Sequence, residues 1–402
     1  MESPTPAKDT LQPLPYQRRL LDYLKAEEPD LYRWFTSTEA RGRHVETMRL
    51  ELLKATYRLD RTSHPGLHTS VDTVLSSLGL TIPVTLYQAN GSGSMNASLH
   101  YIPGEGHIVF SGPILSTLSE EEIRAVVAHE LAHYYLYEIE GGDFFVAHQV
   151  ALAMAHHAAS APSHISSARL WTLYTEIFAD RGASHVIGRP EPSIAVLIKI
   201  FSGLQSVSVE SYLKQAEEIL SKDRSPTQEE THPETFIRAR ALHLWTEKGP
   251  AANEEITRMI EGSPPLDDLD LLAQRQLAES TRRVMAALLQ PSWFRSEPVL
   301  AHARQFFPDF TPNVSADLDD SLKSAHASVR DYLCSVLLDF AAVDPALEEA
   351  PLAAAFQVSD RLGWADRFAE LAGRDLKLPK KTISRVRSDA GKILSEATSS
   401  KP

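Results

Sequence analysis

Between residues 16 and 60 apolar side chains recur at intervals of three and four (Leu20, Leu21 and Leu24, then Met48, Leu52, Leu53 and Tyr57), which predicts two amphipathic helices. A shorter helix follows near 71–78. The period then changes. Residues 81–88 are rich in β-branched and aromatic types, and 97–102 and 107–110 flank the turn residues Pro103, Gly104, Glu105 and Gly106, so the pattern reads as strand, hairpin, strand and predicts a small antiparallel sheet.

From Ser119 onward the pattern is helical. Ser119 followed by Glu120, Glu121 and Glu122 is a capping-box start: the hydroxyl satisfies an early backbone amide, and the acids oppose the positive end of the helix dipole. This helix should run through Glu138 and stop at Gly141 and Gly142, where glycine can turn left-handed. Further helices are predicted over 144–160, 165–186, 193–204, 208–221 and 235–245. Periodicity weakens at 248–254 without a strand signal, which makes that stretch the expected domain boundary. Beyond it, 271–289 and 329–342 are amphipathic, and 344–371 carries Leu352, Phe356, Leu362, Trp364 and Phe368 at roughly helical spacing. The expected fold is mainly α with a small antiparallel β-sheet: a helical extension over 1–45, a central domain over 46–248 and an all-helical C-terminal domain over 255–402.

Composition narrows the function classes. With 40 basic against 53 acidic residues the formal net charge is −13, which repels phosphate backbones, so nucleic acid is not expected as a partner. The single cysteine, Cys334, cannot form an intramolecular disulfide. Residues 1–15 lack a basic segment leading into an apolar one, and the most apolar helical stretch, 144–161, contains His148, His156 and His157. A cytoplasmic protein without a membrane span is expected.

Candidate chemistry sits inside the Ser119-capped helix, where His129, Glu130, Leu131, Ala132 and His133 form the HExxH pattern. Helical residues four apart project to one side, so both imidazoles can hold one zinc ion, while Glu130, turned by about 100°, reaches a water on the metal. A catalytic zinc needs a third protein ligand and an open position. Glu176, an acid in the otherwise apolar stretch Tyr174, Thr175, Glu176, Ile177, Phe178, is the best candidate. Asp180, four residues on, shares its face and is placed to receive the second N–H of a ligating imidazole. The competing role for Asp180 is a surface ion pair with Arg181 or Arg169. His148, His156, His157 and His164 read as ordinary helix and loop residues, and Tyr134, Tyr135 and Tyr137 as core or rim.

HExxH, then a glutamate some forty residues later followed by Asp180, with Asn96 and Ala97 ahead of Ile108, Val109, Phe110, Ser111 and Gly112, together resemble the gluzincin metallopeptidases of the HtpX and CAAX prenyl protease type, peptidase family M48. Thr231, His232 and Pro233, with Arg238 six residues after the histidine, extend the match, which covers roughly 50–244. The resemblance implies a zincin-like domain with one Zn2+ per chain on His129, His133 and Glu176, Glu130 as general base and Asp180 behind a ligand. It also implies that Asn96 and Ala97 open an edge strand against which a peptide substrate adds. His232 and Arg238 are candidates for stabilising the oxyanion or contacting substrate, the alternative for Arg238 being that it only pairs with a carboxylate. Membrane members of this family carry transmembrane helices, so a soluble relative is implied here. The helices after Asp344 faintly resemble a TerB-like domain, although this stretch lacks a calcium loop, and they suggest contact with a regulatory protein partner.

Two functions follow from different classes. One is a zinc endopeptidase acting on a protein or peptide. The other is a non-catalytic zinc scaffold that works through its C-terminal helices. Glu130 separates them, because a scaffold has no need of a carboxylate between two ligand histidines.

Overall fold

The computed structural model of the chain describes residues 11–37, 45–90, 93–223, 225–312, 318 and 320–399. The chain divides into two compact units, Met1–Gly262 and Ser263–Pro402. Most of the N-terminal stretch read for targeting, residues 1–10, lies outside the described residues.

Among the described residues of the first unit, three helices lie in the region whose periodicity predicts two: α1 (Pro15–Glu27), α2 (Pro29–Thr36) and α3 (Val45–Ala55). Pro29 accounts for the extra break, since proline has no N–H to continue a helix but suits a first turn. A short strand, β1 (Tyr57–Arg58), and helix α4 (Pro65–Leu78) lead into β2 (Val84–Gln88), β3 (Asn96–Ile102) and β4 (Glu105–Ser111). The order across the sheet is β1-β2-β4-β3. The β3–β4 hairpin is antiparallel as its turn residues dictate, but β2 and β4 run parallel, so the sheet is mixed. The reason is topological: the chain passes to the far edge to form β3, then turns back and inserts β4 beside β2 in the direction of β2. Among the described residues β3 is left at an edge, paired with β4 alone.

Helix α5 (Glu120–Glu138) begins as its sequence demands, with the Ser119 side chain accepting from Glu122 N–H at 3.3 Å and Ser119 N–H donating to Glu122 Oε2 at 2.8 Å. It is followed by α6 (Asp143–His156), α7 (Pro162–Ile187), α8 (Glu191–Ser202), α9 (Val209–Lys222) and α10 (Thr235–Lys248). α7 spans 26 residues and buries Trp171, Tyr174 and Phe178 almost completely. Its approach to α5 is very close. A Cβ placed on Gly182 would lie 2.4 Å from the Cβ of Ala132, so only glycine permits this crossing. Lys199 of α8 pairs with Glu122 at 2.7 Å and ties α8 to the start of α5.

The stretch 248–254, where periodicity weakens, is itself ordered as a 3-10 turn, Gly249–Ala252, leading into helix α11 (Asn253–Ile260), and the division between the units falls after Gly262. The second unit is helical among its described residues, with Leu333, Leu337, Phe340, Phe356 and Phe368 in its core. Asp344, which opens the aspartate-led turn, accepts from Ala346 N–H at 3.0 Å and from the Ser296 hydroxyl at 2.6 Å, a structural use of its carboxylate. Among the described residues no helix is long and apolar enough to cross a membrane.

Candidate active site

α5 and α7 bring their cleft-facing residues together. His129 lies beside Asp180, with Nδ1 3.1 Å from Oδ1, and its Nε2 is 3.5 Å from Glu176 Oε2. One turn further along α5, His133 Nε2 is 3.5 Å from Glu176 Oε1 and 3.2 Å from His129 Nε2. The donor atoms of His129, His133 and Glu176 all lie within 4.8 Å of one another, and these residues could hold a metal ion. The chemistry of the set fits one. Two imidazole nitrogens and a carboxylate suit zinc, and Glu176 Oε2 is buried without a hydrogen bond. A cation is what the surrounding charges call for: burial opposes the charged form of His129, yet the Asp180 and Glu176 carboxylates outweigh it and push its pKa up to about 10. His133, also buried and next to His129 and Arg238, is pushed down to about 3 and is neutral.

Glu130 is buried on the same turn, and desolvation pushes its carboxyl up to about 7, against the pull of His129 and a hydrogen bond from the Leu99 backbone amide. The free edge of β3 therefore faces this carboxylate.

Asp180 is not at the surface with Arg181 or Arg169. Its partner is Arg238 of α10, whose Nε and Nη2 donate to Oδ2 at 2.8 Å and Oδ1 at 2.7 Å. Arg181 instead stacks on Trp245, 3.7 Å from the ring centroid, and Arg169 donates to the carbonyls of Thr227 and Glu229. The Arg238 guanidinium also sits 3.2 Å from Glu176 Oε2, and it holds both carboxylates below their usual range although burial works the other way. Arg238 thus pairs with the two acids beside the histidines, the carboxylate pairing that was its alternative role; which carboxylates it meets is not legible across the 58 residues that separate it from Asp180.

These residues line one cleft of about 620 Å³. Asn96 and Ala97 line it from β3, with Asn96 Oδ1 accepting from the Ala97 N–H at 2.9 Å. His232 stands at its rim, 57% exposed, with Nε2 3.7 Å from Glu176 Oε1. The cleft also takes in Tyr137 and His148, which the sequence reading gave to the core, the rim or an ordinary helix, and, with Val126, residues of α8 that it did not single out. Tyr137 carried a usable signal, its four-residue spacing from His133; the α8 residues carried none, because an apolar wall of a cleft and an apolar core helix share one pattern.

Residues 62–246 match the model of Peptidase family M48. They form an M48 peptidase domain. The match runs from just before α4 to α10 and so includes β2, β3 and β4, both histidines, Glu176, Asp180 and Arg238. Comparison with curated proteins and with solved structures gives no match. For these residues the match supports a metallopeptidase, a hydrolase that acts on protein.

Proposed function

We propose that the M48 domain is a zinc-dependent endopeptidase in which His129, His133 and Glu176 hold the metal and Glu130 is the general base. What supports the reading above all is the convergence of three ligand atoms within 4.8 Å beside a buried carboxylate. Zinc bound there supplies a Lewis acid that polarises the scissile carbonyl and makes water easier to deprotonate.

The protein's own groups do the rest. Glu130 takes a proton from the attacking water and returns it to the leaving amine; a carboxyl poised near neutrality by burial is suited to both transfers. Asp180 accepts from His129 Nδ1, which holds the imidazole in one orientation with Nε2 toward Glu176. Arg238 keeps Asp180 and Glu176 ionised and fixed, as a positioning residue rather than a contact for substrate. His232, exposed at the rim, donates a hydrogen bond to the negative oxygen that develops on the carbonyl. The open edge of β3, beginning at Asn96 and Ala97, receives the peptide as an added strand.

The decisive experiment compares wild type with Glu130→Gln after zinc loading, on an unfolded protein substrate such as denatured casein. The variant should retain about one zinc per chain and the wild-type melting curve while turnover falls by orders of magnitude. Equal turnover by the two proteins would remove Glu130 from the mechanism, and absence of bound zinc in both would remove the metal assignment.

A further inference from the structure

One turn beyond His133 the cleft is lined by hydrogen-bonding side chains: Tyr137 of α5, His148 of α6, and Thr172 and Thr175 of α7. The two threonines are committed. Thr172 donates to the Ala168 carbonyl at 3.1 Å and Thr175 to the Trp171 carbonyl at 2.8 Å, and Gln17 Nε2 donates to the Thr175 oxygen at 3.3 Å. Tyr137 and His148 are not. The Tyr137 ring is held edge-on by Tyr101 and Phe145, with centroids 5.2 and 5.5 Å away, and lies 5.6 Å from the His148 ring. Its hydroxyl has no hydrogen-bond partner among the described residues, and the Glu176 charge reaches it, adding to burial in raising its pKa. His148 Nδ1 is buried and likewise without a partner. Burial alone pushes this imidazole down to about 4, so it is neutral and offers one donor and one acceptor. Two adjacent hydrogen-bonding groups left uncommitted in a cleft are costly to a fold unless a ligand or solvent completes them.

We propose that Tyr137 and His148 form a subsite for an uncharged amide group of the substrate, which completes the hydrogen bonds of the phenol and the imidazole. The inference rests on the peptidase reading above and deepens it by naming groups that bind substrate away from the reacting carbonyl. Charge selects the ligand class. A carboxylate here meets no cation at His148 and is repelled by Glu176, while an ammonium or guanidinium finds no carboxylate beside His148, and Glu176 is already engaged by Arg238. Either ion would lose hydration without a partner. An amide needs no counter-ion and carries both an acceptor oxygen and an N–H donor. The phenol can donate to its oxygen while the imidazole accepts from its N–H, or the two can exchange parts, so recognition is the same whichever way the peptide runs. The amide can belong to the peptide main chain or to an Asn or Gln side chain.

The test compares zinc-loaded wild type with Tyr137→Phe, which removes one oxygen and keeps the ring contacts to Tyr101 and Phe145. The variant should keep its zinc and melt no lower than wild type, since its hydroxyl serves no other residue. On denatured casein KM should rise roughly three- to tenfold, the worth of one hydrogen bond, with kcat little changed. His148→Phe should act in the same direction. A mixture of capped hexapeptides then locates the amide. If it is a main-chain group, Tyr137→Phe weakens all sequences alike; if it is a side chain, wild type favours Asn and Gln over Asp, Glu, Lys and Leu at one position, and Tyr137→Phe abolishes the preference. An unchanged KM in both variants would leave the pair to solvent and overturn the subsite, as would a fall in kcat at constant KM or a Tyr137-dependent preference for a charged residue. Binding of fluorescently labelled denatured casein, read by anisotropy, separates this proposal from the peptidase reading. Weaker binding by Glu130→Gln/Tyr137→Phe than by Glu130→Gln, with no cleavage by wild type, would keep the subsite and overturn the hydrolytic reading. Equal binding by the two proteins, or none by either, would overturn the subsite.

Discussion

Removing the guanidinium of Arg238 tests how the site is held together. Arg238→Met replaces it by an unbranched apolar chain and leaves Asp180 and Glu176, both buried, with His129 as the remaining positive partner in contact. Two short charge-assisted hydrogen bonds to Asp180, at 2.8 and 2.7 Å, are lost together with the 3.2 Å ion pair to Glu176. Breaking a buried pair by removing one partner costs about 3–5 kcal/mol, because the remaining charge stays desolvated. For a domain of this size each kcal/mol is about 2–4 °C in Tm, so the metal-free variant should melt roughly 10 °C below wild type at pH 7. Asp180 is held below its ordinary pKa in the folded protein, so this stability is present above about pH 4 and fades as pH falls. The gap between the variants should narrow in acid. Zinc supplies a replacement cation next to Glu176, so zinc should raise the Tm of Arg238→Met more than that of wild type, although its affinity falls about 10–100-fold through the loosened Asp180. Calorimetry with a chelator and with added zinc at pH 7, and with the chelator well below pH 4, reads all of these. If the chelated variant melts within a degree or two of wild type at pH 7, Arg238 does not hold the two carboxylates, and its role must be sought at the substrate.

Three further outcomes are expected. Asp180→Asn should weaken zinc binding about 10–100-fold by chelator competition, since an amide holds the His129 ring less firmly; wild-type affinity would show that Asp180 serves Arg238 alone. Gly182→Ala should lower Tm and zinc affinity together, because its Cβ would meet that of Ala132 at 2.4 Å and must push α7 from α5; an unchanged Tm would mean that the crossing relaxes without cost. Glu122 is held below its usual pKa by Lys199 and the Ser119 amide, against desolvation, so its stabilisation is present above about pH 4 and lost below. Glu122→Gln should therefore melt lower than wild type at pH 7, and the two curves should converge in acid; a gap of constant size would assign the loss to the helix cap instead of the charge.

Much of this protein is legible in one dimension because the features concerned are local. The start of α5 is set by four consecutive residues, Ser119–Glu122, whose hydroxyl and carboxylate satisfy each other's amides. The facing of His129 with His133, and of Glu176 with Asp180, needs only the helical period. The β3–β4 hairpin is written in Pro103, Gly104 and the alternation on either side. What tertiary structure alone decided involves partners far apart in the chain. That β4 lies parallel to β2 follows from which edge the hairpin takes, and no turn residue encodes that choice. That Asp180 answers to Arg238 and not to the adjacent Arg181 depends on α10 crossing α7, while Trp245 draws Arg181 away. The break at Pro29 is again local, set by one residue without an N–H, whereas the ordered turn at Gly249–Ala252 forms where the sequence pattern is weak. The apolar face of α8 is the plainest case. Its residues are hydrophobic at helical spacing whether they fill a core or wall a cleft, and only the position of β3 and α5 opposite them leaves space there for a ligand.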